Sequence, residues 1–444
     1  LIQTSELPQG VRLVTEEMAD VESLALGVWV GVGARDERPE EAGCSHFLEH
    51  LLFKGTDQRS AREIAEAIDS VGGDMNAFTT KELTAFYVRL LAERADVGLD
   101  VLSDILSRPA LGAEDVEAER QVILDEILMH ADEPADVAVE ALFAAMFPGH
   151  PLGRPVLGSK CSIETMERDR IAGFFSSRYH GRQMVVSAAG RLEHERLAEG
   201  LASRLQVPAD GLVVARTPPG SDCTPLVVED RDAEQVHLAI GIRARSRHDP
   251  DRHALAVLNH VLGGGLSSRL FQEVREQRGL AYTVYSQWEP FDDAGVLVVY
   301  AASAPERLAE LADVVLDVLD GLFAEGASER ETEMAKGGLR AEMLLSLEES
   351  GARMSRIGRS LLLHGEVLPA TEVARRVEAV DEAAMDRVRA GLRSDPRSVS
   401  LVGPGVAEAA NGALGERLAG WARAGGLVRP SAEPAQIGRR GGQP

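Results

Sequence analysis

Two histidines and a glutamate interrupt an otherwise apolar stretch, GCSHFLEHLLFKGT, at residues 43–56. His46, Glu49 and His50 lie among Phe47, Leu48, Leu51, Leu52 and Phe53. If the stretch is a helix, each residue turns it by about 100°. His46 and His50 then project from one face a turn apart, as two ligands to one ion require. Glu49 lies beside that face. Three polar side chains buried without partners would cost several kcal/mol. A bound cation removes that cost.

Two histidines do not complete a catalytic metal site; a third protein ligand and an open position are the usual set. The segment ERQVILDEILMH, residues 119–130, has helical periodicity, with Val122, Ile123, Ile127 and Leu128 apolar. Glu119 and Glu126 are seven apart and share a face. Asp125 and His130 are weaker candidates. Spacing alone does not choose between Glu119 and Glu126.

The elements that must position these residues occur twice. LGVWVGVGAR at 26–35 matches VHLAIGIRAR at 236–245, an offset near 210. Without a gap, LEHLL at 48–52 falls on LNHVL at 258–262, and VGLDVL at 97–102 later matches VVLDVL at 314–319. Each copy reads as an alternating strand, a charged loop, an apolar helix, an amphipathic helix, a glycine-marked turn, two strands and a long helix. The fold class expected is α+β, with two similar duplicated domains, each a mixed, mostly antiparallel sheet packed with helices. The expected bounds are 1–212 and 213–428, joined through a stretch broken by Pro208, Pro218, Pro219 and Gly220. A disordered tail is expected over 429–444, rich in Pro, Gly and Arg. The repeat is also an internal control. His46, Glu49 and His50 fall on Ala256, Asn259 and His260. The chemistry is therefore confined to the first copy, and the second needs a different purpose.

Composition narrows the class. A chain of 444 residues exceeds one core, and 44% hydrophobic content suits a folded protein. A net charge of −24 argues against nucleic-acid binding. No apolar run reaches the ~18 residues of a membrane span. The opening LIQTSE does not read as a secretion signal. Cys44, Cys161 and Cys223 form no pair with zinc-ligand spacing and, being odd in number, no disulfide framework. A reducing, cytoplasmic compartment is expected.

The H-x-x-E-H order is that of the inverted zincins, and its wider setting resembles the M16 metallopeptidases. That family includes mitochondrial processing peptidase, insulin-degrading enzyme and short bacterial peptidases, of which the single-subunit M16B type is the nearest match. The resemblance spans nearly the whole chain. In the family the third ligand follows the second histidine by about 76 positions, which from His50 leads to Glu126. Glu119 then matches a glutamate that supports a ligand from behind. GDMNAFT at 73–79 resembles the family's active-site edge strand, implying that Asn76, Ala77 and Phe78 lie along a substrate that binds by strand addition. REQRGLAY at 275–282 resembles an Arg/Tyr pair, implying that Arg275 and Tyr282 hold the substrate near the scissile carbonyl. The glycine-rich GGGLSSRLF at 263–271 lacks the G-K-[ST] of a phosphate loop and resembles a segment of the family's second domain. The resemblance further implies one Zn²⁺ per chain, Glu49 as general base, peptide substrates taken into a closed chamber, and a homodimer. Two rivals share the fold or the metal: a non-catalytic structural paralogue, and a zinc-binding module without turnover. The first class typically loses ligands, and the second needs no base; here both the ligands and Glu49 are present.

Overall fold

The computed structural model describes residues 1–425; the tail expected over 429–444 lies outside them. Aliphatic, β-branched runs form β1 (Ile2–Glu6), β2 (Arg12–Glu17), β3 (Ser23–Val30), β4 (Asp74–Thr79), β5 (Thr84–Leu91) and β6 (Met184–Gly190). They make one sheet in the order β1-β2-β6-β3-β5-β4. The second sheet holds β7 (Leu226–Asp230), β8 (Val236–Ala244), β9 (Thr283–Pro290), β10 (Gly295–Ser303) and β11 (Arg397–Gly403), in the order β7-β11-β8-β10-β9. Apart from β1, the two orders are the same. Even the parallel pair repeats, β2 with β6 and β7 with β11, among otherwise antiparallel neighbours. The chain is two copies of one α+β unit.

The sheets correct the offset between copies. Gly190 ends β6 opposite Leu24, and Gly403 ends β11 over Val236. Both have φ values closed to most side chains, +130° and +140°, and a Cβ on either would lie within 3 Å of the facing Cα. Leu24 therefore corresponds to Val236, an offset of 212 rather than 210. A slip of two leaves every side chain on its own face of the strand, which is why the sequence match survived it.

Five helices bear on the site: α1 (Cys44–Leu52), α2 (Ala113–Asp132), α3 (Pro134–Met146), α4 (Arg252–Gly263) and α5 (Ser350–His364). α1 buries Phe47, Leu48, Leu51 and Leu52 in the core of the first copy, and α4 buries Leu255, Leu258 and Leu262 in that of the second. Each copy also lends a helix to the other. Leu142, Phe143 and Met146 of α3 pack on Ala239, Val296 and Val298 of the second sheet. Met354, Ile357 and Leu361 of α5 pack on Ala25, Trp29 and Ala85 of the first. The contact is close, since a Cβ on Gly358 would sit 2.2 Å from Trp29 Nε1. Both sheets are thus covered on both faces. This corrects the alternating pattern read for β3, in which Leu24 to Val30 are all buried.

The segment between the copies, 205–225, carries no helix or strand, yet it is tied down. Arg216 pairs with Asp36 at 2.8 Å, and the Thr217 carbonyl accepts from Arg35 at 2.9 Å. Beneath it lies a buried cluster of ions. Glu82, in the turn between β4 and β5, is 3% exposed. It binds Arg35 at 2.6 Å, and it binds Arg247 and the Asp292 amide from the second copy. Arg35 also reaches Asp293 at 2.6 Å. Among the described residues, no helix is long and apolar enough to cross a membrane.

Candidate metal centre

α1 begins where only glycine fits: Gly43 has φ +89°, and a Cβ there would meet the Leu157 carbonyl at 2.6 Å. The amides of Gly43 and Ser45 donate to the buried Glu37 carboxylate at 2.9 and 2.7 Å. This fixes the start of the helix and so the direction in which its side chains leave it. His46 and His50 come out on one side, with ring centroids 4.6 Å apart.

α2 packs against α1 and brings both of its candidate glutamates to that side, at different depths. Glu126 Oε2 lies 3.6 Å from His46 Nε2 and 3.6 Å from His50 Nε2. One ligand atom from each of the three lies within 4.8 Å of the others. Glu119 sits behind the ring instead, its Oε2 3.1 Å from His50 Nδ1, while its Oε1 is 2.6 Å from Lys54 Nζ. Asp125 is not part of the group, and His130 pairs with Asp136 at 3.2 Å.

The donor set suits zinc. Two imidazole nitrogens and a carboxylate oxygen are its common catalytic ligands, and bonds of ~2.1 Å in a tetrahedron place donors ~3.4 Å apart. Burial, helped by His50 and His130, pushes His46 down to about 3, so its ring is neutral, the form that ligates. His50 Nδ1 has the outer carboxylate that commonly orients a ligating histidine. His46 Nδ1 is buried without a protein partner.

Glu49 is beside this group but not in it. Burial raises its carboxyl above the usual range, opposed by a hydrogen bond from Thr79 and by His50. Thr79 Oγ1 donates to Glu49 Oε2 at 2.5 Å from the end of β4. In the second copy Ser286 Oγ of β9 donates to Asn259 Oδ1 at 2.8 Å. There the acceptor is an amide and not an acid, and the strand position differs: by sheet register Ser286 corresponds to Ala77, and Thr79 to Trp288.

His46, Glu49 and Glu126 open into a cavity of about 1090 Å³ between the two copies. Ala77, Phe78 and Thr79 line it, and β4 is an edge strand there. Asn76 is exposed, does not line the cavity, and accepts the Ala77 amide at 2.8 Å. Opposite stand Tyr285, Gln287 and Glu289 of β9 and Arg359 of α5. Arg275 and Tyr282 do not line this cavity. They stack on one another, the guanidinium 4.2 Å from the ring, with Tyr282 76% exposed.

Residues 12–160 match the model of the insulinase family, peptidase family M16, and residues 165–339 match that of the M16 inactive domain. A Mycobacterium tuberculosis protein named an uncharacterized zinc protease is 45% identical over 404 residues, covering 90% of this chain and 92% of its own. The chain belongs to peptidase family M16. Two solved structures share the fold. A protease from Helicobacter pylori has TM-score 0.84 at 21% identity, covering 91% of this chain and 99% of its own. A chain of complex III from Candida albicans has TM-score 0.79 at 18% identity, covering 91% and 96%.

Within this M16 chain, sequence reasoning missed Thr79, Lys54 and Glu82. Thr79 had a usable signal, since alternation along β4 puts it on the same face as Ala77. Lys54 is four residues past His50, a helical spacing, but it follows the end of α1. Glu82 gave none, because a charged residue in a tight turn normally reads as solvated.

Proposed function

We propose that the chain is a zinc metalloendopeptidase, with one Zn²⁺ held by His46, His50 and Glu126. Bound zinc would supply Lewis acidity, polarising the scissile carbonyl and acidifying a water. Glu49 takes a proton from that water at its carboxylate and hands it to the leaving nitrogen. The free edge of β4 receives an extended peptide by strand addition, with Ala77 and Phe78 along it and Asn76 beside it. Access through a cavity between packed domains favours unstructured peptides over folded proteins, within a closed chamber. A reducing, cytoplasmic setting belongs to the same reading, supported by three cysteines that are all free.

The observation that carries this reading is the placement of Glu49: a carboxylate outside the three-donor group, next to it, facing the same cavity. A site used only to hold metal has no need of it. That separates the reading from a non-catalytic paralogue of the same fold. Glu49→Gln should keep one zinc per chain while hydrolysis of a quenched fluorogenic peptide falls by at least ~10²-fold. Near wild-type turnover in that variant would reject it.

Arg275 and Tyr282 enter the same reading through a partner. The exposure of Tyr282 and the absence of both residues from the cavity of their own chain support a homodimer in which each pair serves the other chain's site. There Arg275 holds the peptide backbone and Tyr282 donates to the developing oxyanion.

A further inference from the structure

We infer that Thr79 is a positioning residue for Glu49, held in place by the clamp that the second copy closes on the β4–β5 turn; this rests on the proposed role of Glu49 as base. A glutamate side chain has three rotatable bonds, and a base works only when its carboxylate stays within hydrogen-bond reach of the proton it takes. Among the described residues, Thr79 Oγ1 is the one hydrogen-bond donor on the Glu49 carboxylate. A carboxylate has no proton to give, so the hydroxyl must donate and its rotor is fixed. One oxygen, Oε2, is occupied in this way, leaving Oε1 as a free acceptor on a residue that lines the cavity.

Thr79 has little freedom to follow a moving glutamate. It ends β4 paired with Thr84, whose hydroxyl lies 3.5 Å from its own and donates to the Val32 carbonyl at 2.9 Å. The chain then turns at once, the Thr80 amide donating to the Leu83 carbonyl at 2.8 Å. Inside that turn Glu82 is fixed by Arg35 from its own copy and by Arg247 and the Asp292 amide from the other. A continuous path of fixed groups thus runs from the second copy to the base. This gives the metal-free copy a purpose besides contact with substrate. In the second copy a hydroxyl from a different register position, Ser286, donates to the Asn259 amide oxygen, and no acid is held there.

The test compares Thr79→Val with Thr79→Ser, each alone and in the Glu49→Gln background, on a quenched fluorogenic peptide. Thr79→Val keeps the shape and removes the donor. Its kcat should fall ~10–100-fold, the size of a lost hydrogen bond to a charged group, with KM within about threefold and zinc still one per chain. Thr79→Ser should return to near the wild-type kcat. In Glu49→Gln, followed by single turnover, Thr79→Val should have little further effect, because two changes acting through one group do not add. A crystal structure of Thr79→Val should show the Glu49 carboxylate displaced from its place beside the donors. Unchanged kcat, an equal loss with and without Glu49, or a Glu49 rotamer that does not move would each overturn the inference. An active Glu49→Gln enzyme would instead reject the proposed base, a distinguishable failure.

Discussion

Glu119 binds two partners at once: its Oε2 is 3.1 Å from His50 Nδ1 and its Oε1 is 2.6 Å from Lys54 Nζ. The ammonium donates to one carboxylate oxygen, and the other accepts the imidazole Nδ1–H. That fixes the tautomer in which Nε2 carries the free lone pair, directed to the side where Glu126 stands. The two glutamates that sequence spacing left equivalent therefore have different tasks.

Their exchange for glutamine should separate those tasks. His50→Ala and Glu126→Gln should lose zinc on dialysis against a mild chelator. Glu119→Gln should retain zinc with an affinity ~10–100-fold weaker, as changes behind a ligand do. Chelator competition monitored by metal analysis reads both. If Glu119→Gln sheds the metal while Glu126→Gln keeps it, the assignment is reversed.

Glu37 makes stability depend on pH. Burial pushes its carboxyl up to about 7, against the Gly43 and Ser45 amides that favour the charged form. The folded chain then binds this proton more tightly than the unfolded chain, whose glutamate titrates near ~4.3. Stability contributed by the protonated form is fully present below the unfolded value and is lost as pH rises toward 7. In Glu37→Gln that loss is absent. The difference in unfolding free energy between variant and wild type should therefore move in the variant's favour by a few kcal/mol between about pH 4 and 8. Urea unfolding at the two pH values measures it; a difference that does not change with pH would contradict the argument.

Local physics explains what the sequence made legible. His46 and His50 are read correctly as neighbours because helical spacing needs nothing outside the segment. The duplication shows in the apolar runs of β3 and β8 and in α1 and α4, since both copies bury the same elements. What stayed hidden depends on long-range packing. Nothing in α3 or α5 tells which sheet it will cover, because an apolar stripe fits either. Glu82 looks like a solvated turn residue until Arg247 arrives from 165 positions away. Arg275 and Tyr282 are paired only by the family resemblance; their spacing alone tells neither of their stacking nor of their place outside the cavity.

The Glu82 cluster should behave as a buried ion network. Glu82→Ala removes the carboxylate shared by Arg35 and Arg247, which are 4% and 6% exposed; Arg35 keeps Asp293, but Arg247 is left without an acid partner among the described residues. Removing one partner from such a network typically costs about 3–5 kcal/mol. Urea unfolding should show a loss of that size, whereas Glu63→Ala, at an exposed helix cap, should cost about 1 kcal/mol or less. Equal small losses for both would mean that the cluster is well solvated and does not hold the two copies together.

Subunit mixing tests the assembly. One chain carries both the His46, His50 and Glu126 group and the Arg275–Tyr282 pair, yet its own cavity holds only the first. If the pair serves a partner, two-fold symmetry is the simplest closed arrangement, and each site draws on both chains. Glu49→Gln and the double variant Arg275→Ala/Tyr282→Phe should each be nearly inactive alone. In a mixed dimer, one site inherits both defects. The other joins an intact base and zinc group to an intact Arg/Tyr pair. With equal amounts and random exchange, half of the dimers are mixed and each has one good site, so activity should return to roughly a quarter of wild type. Native mass spectrometry establishes that exchange has occurred. Should mixed dimers form and activity stay at the level of the separate variants, the pair acts within its own chain or has no part in turnover.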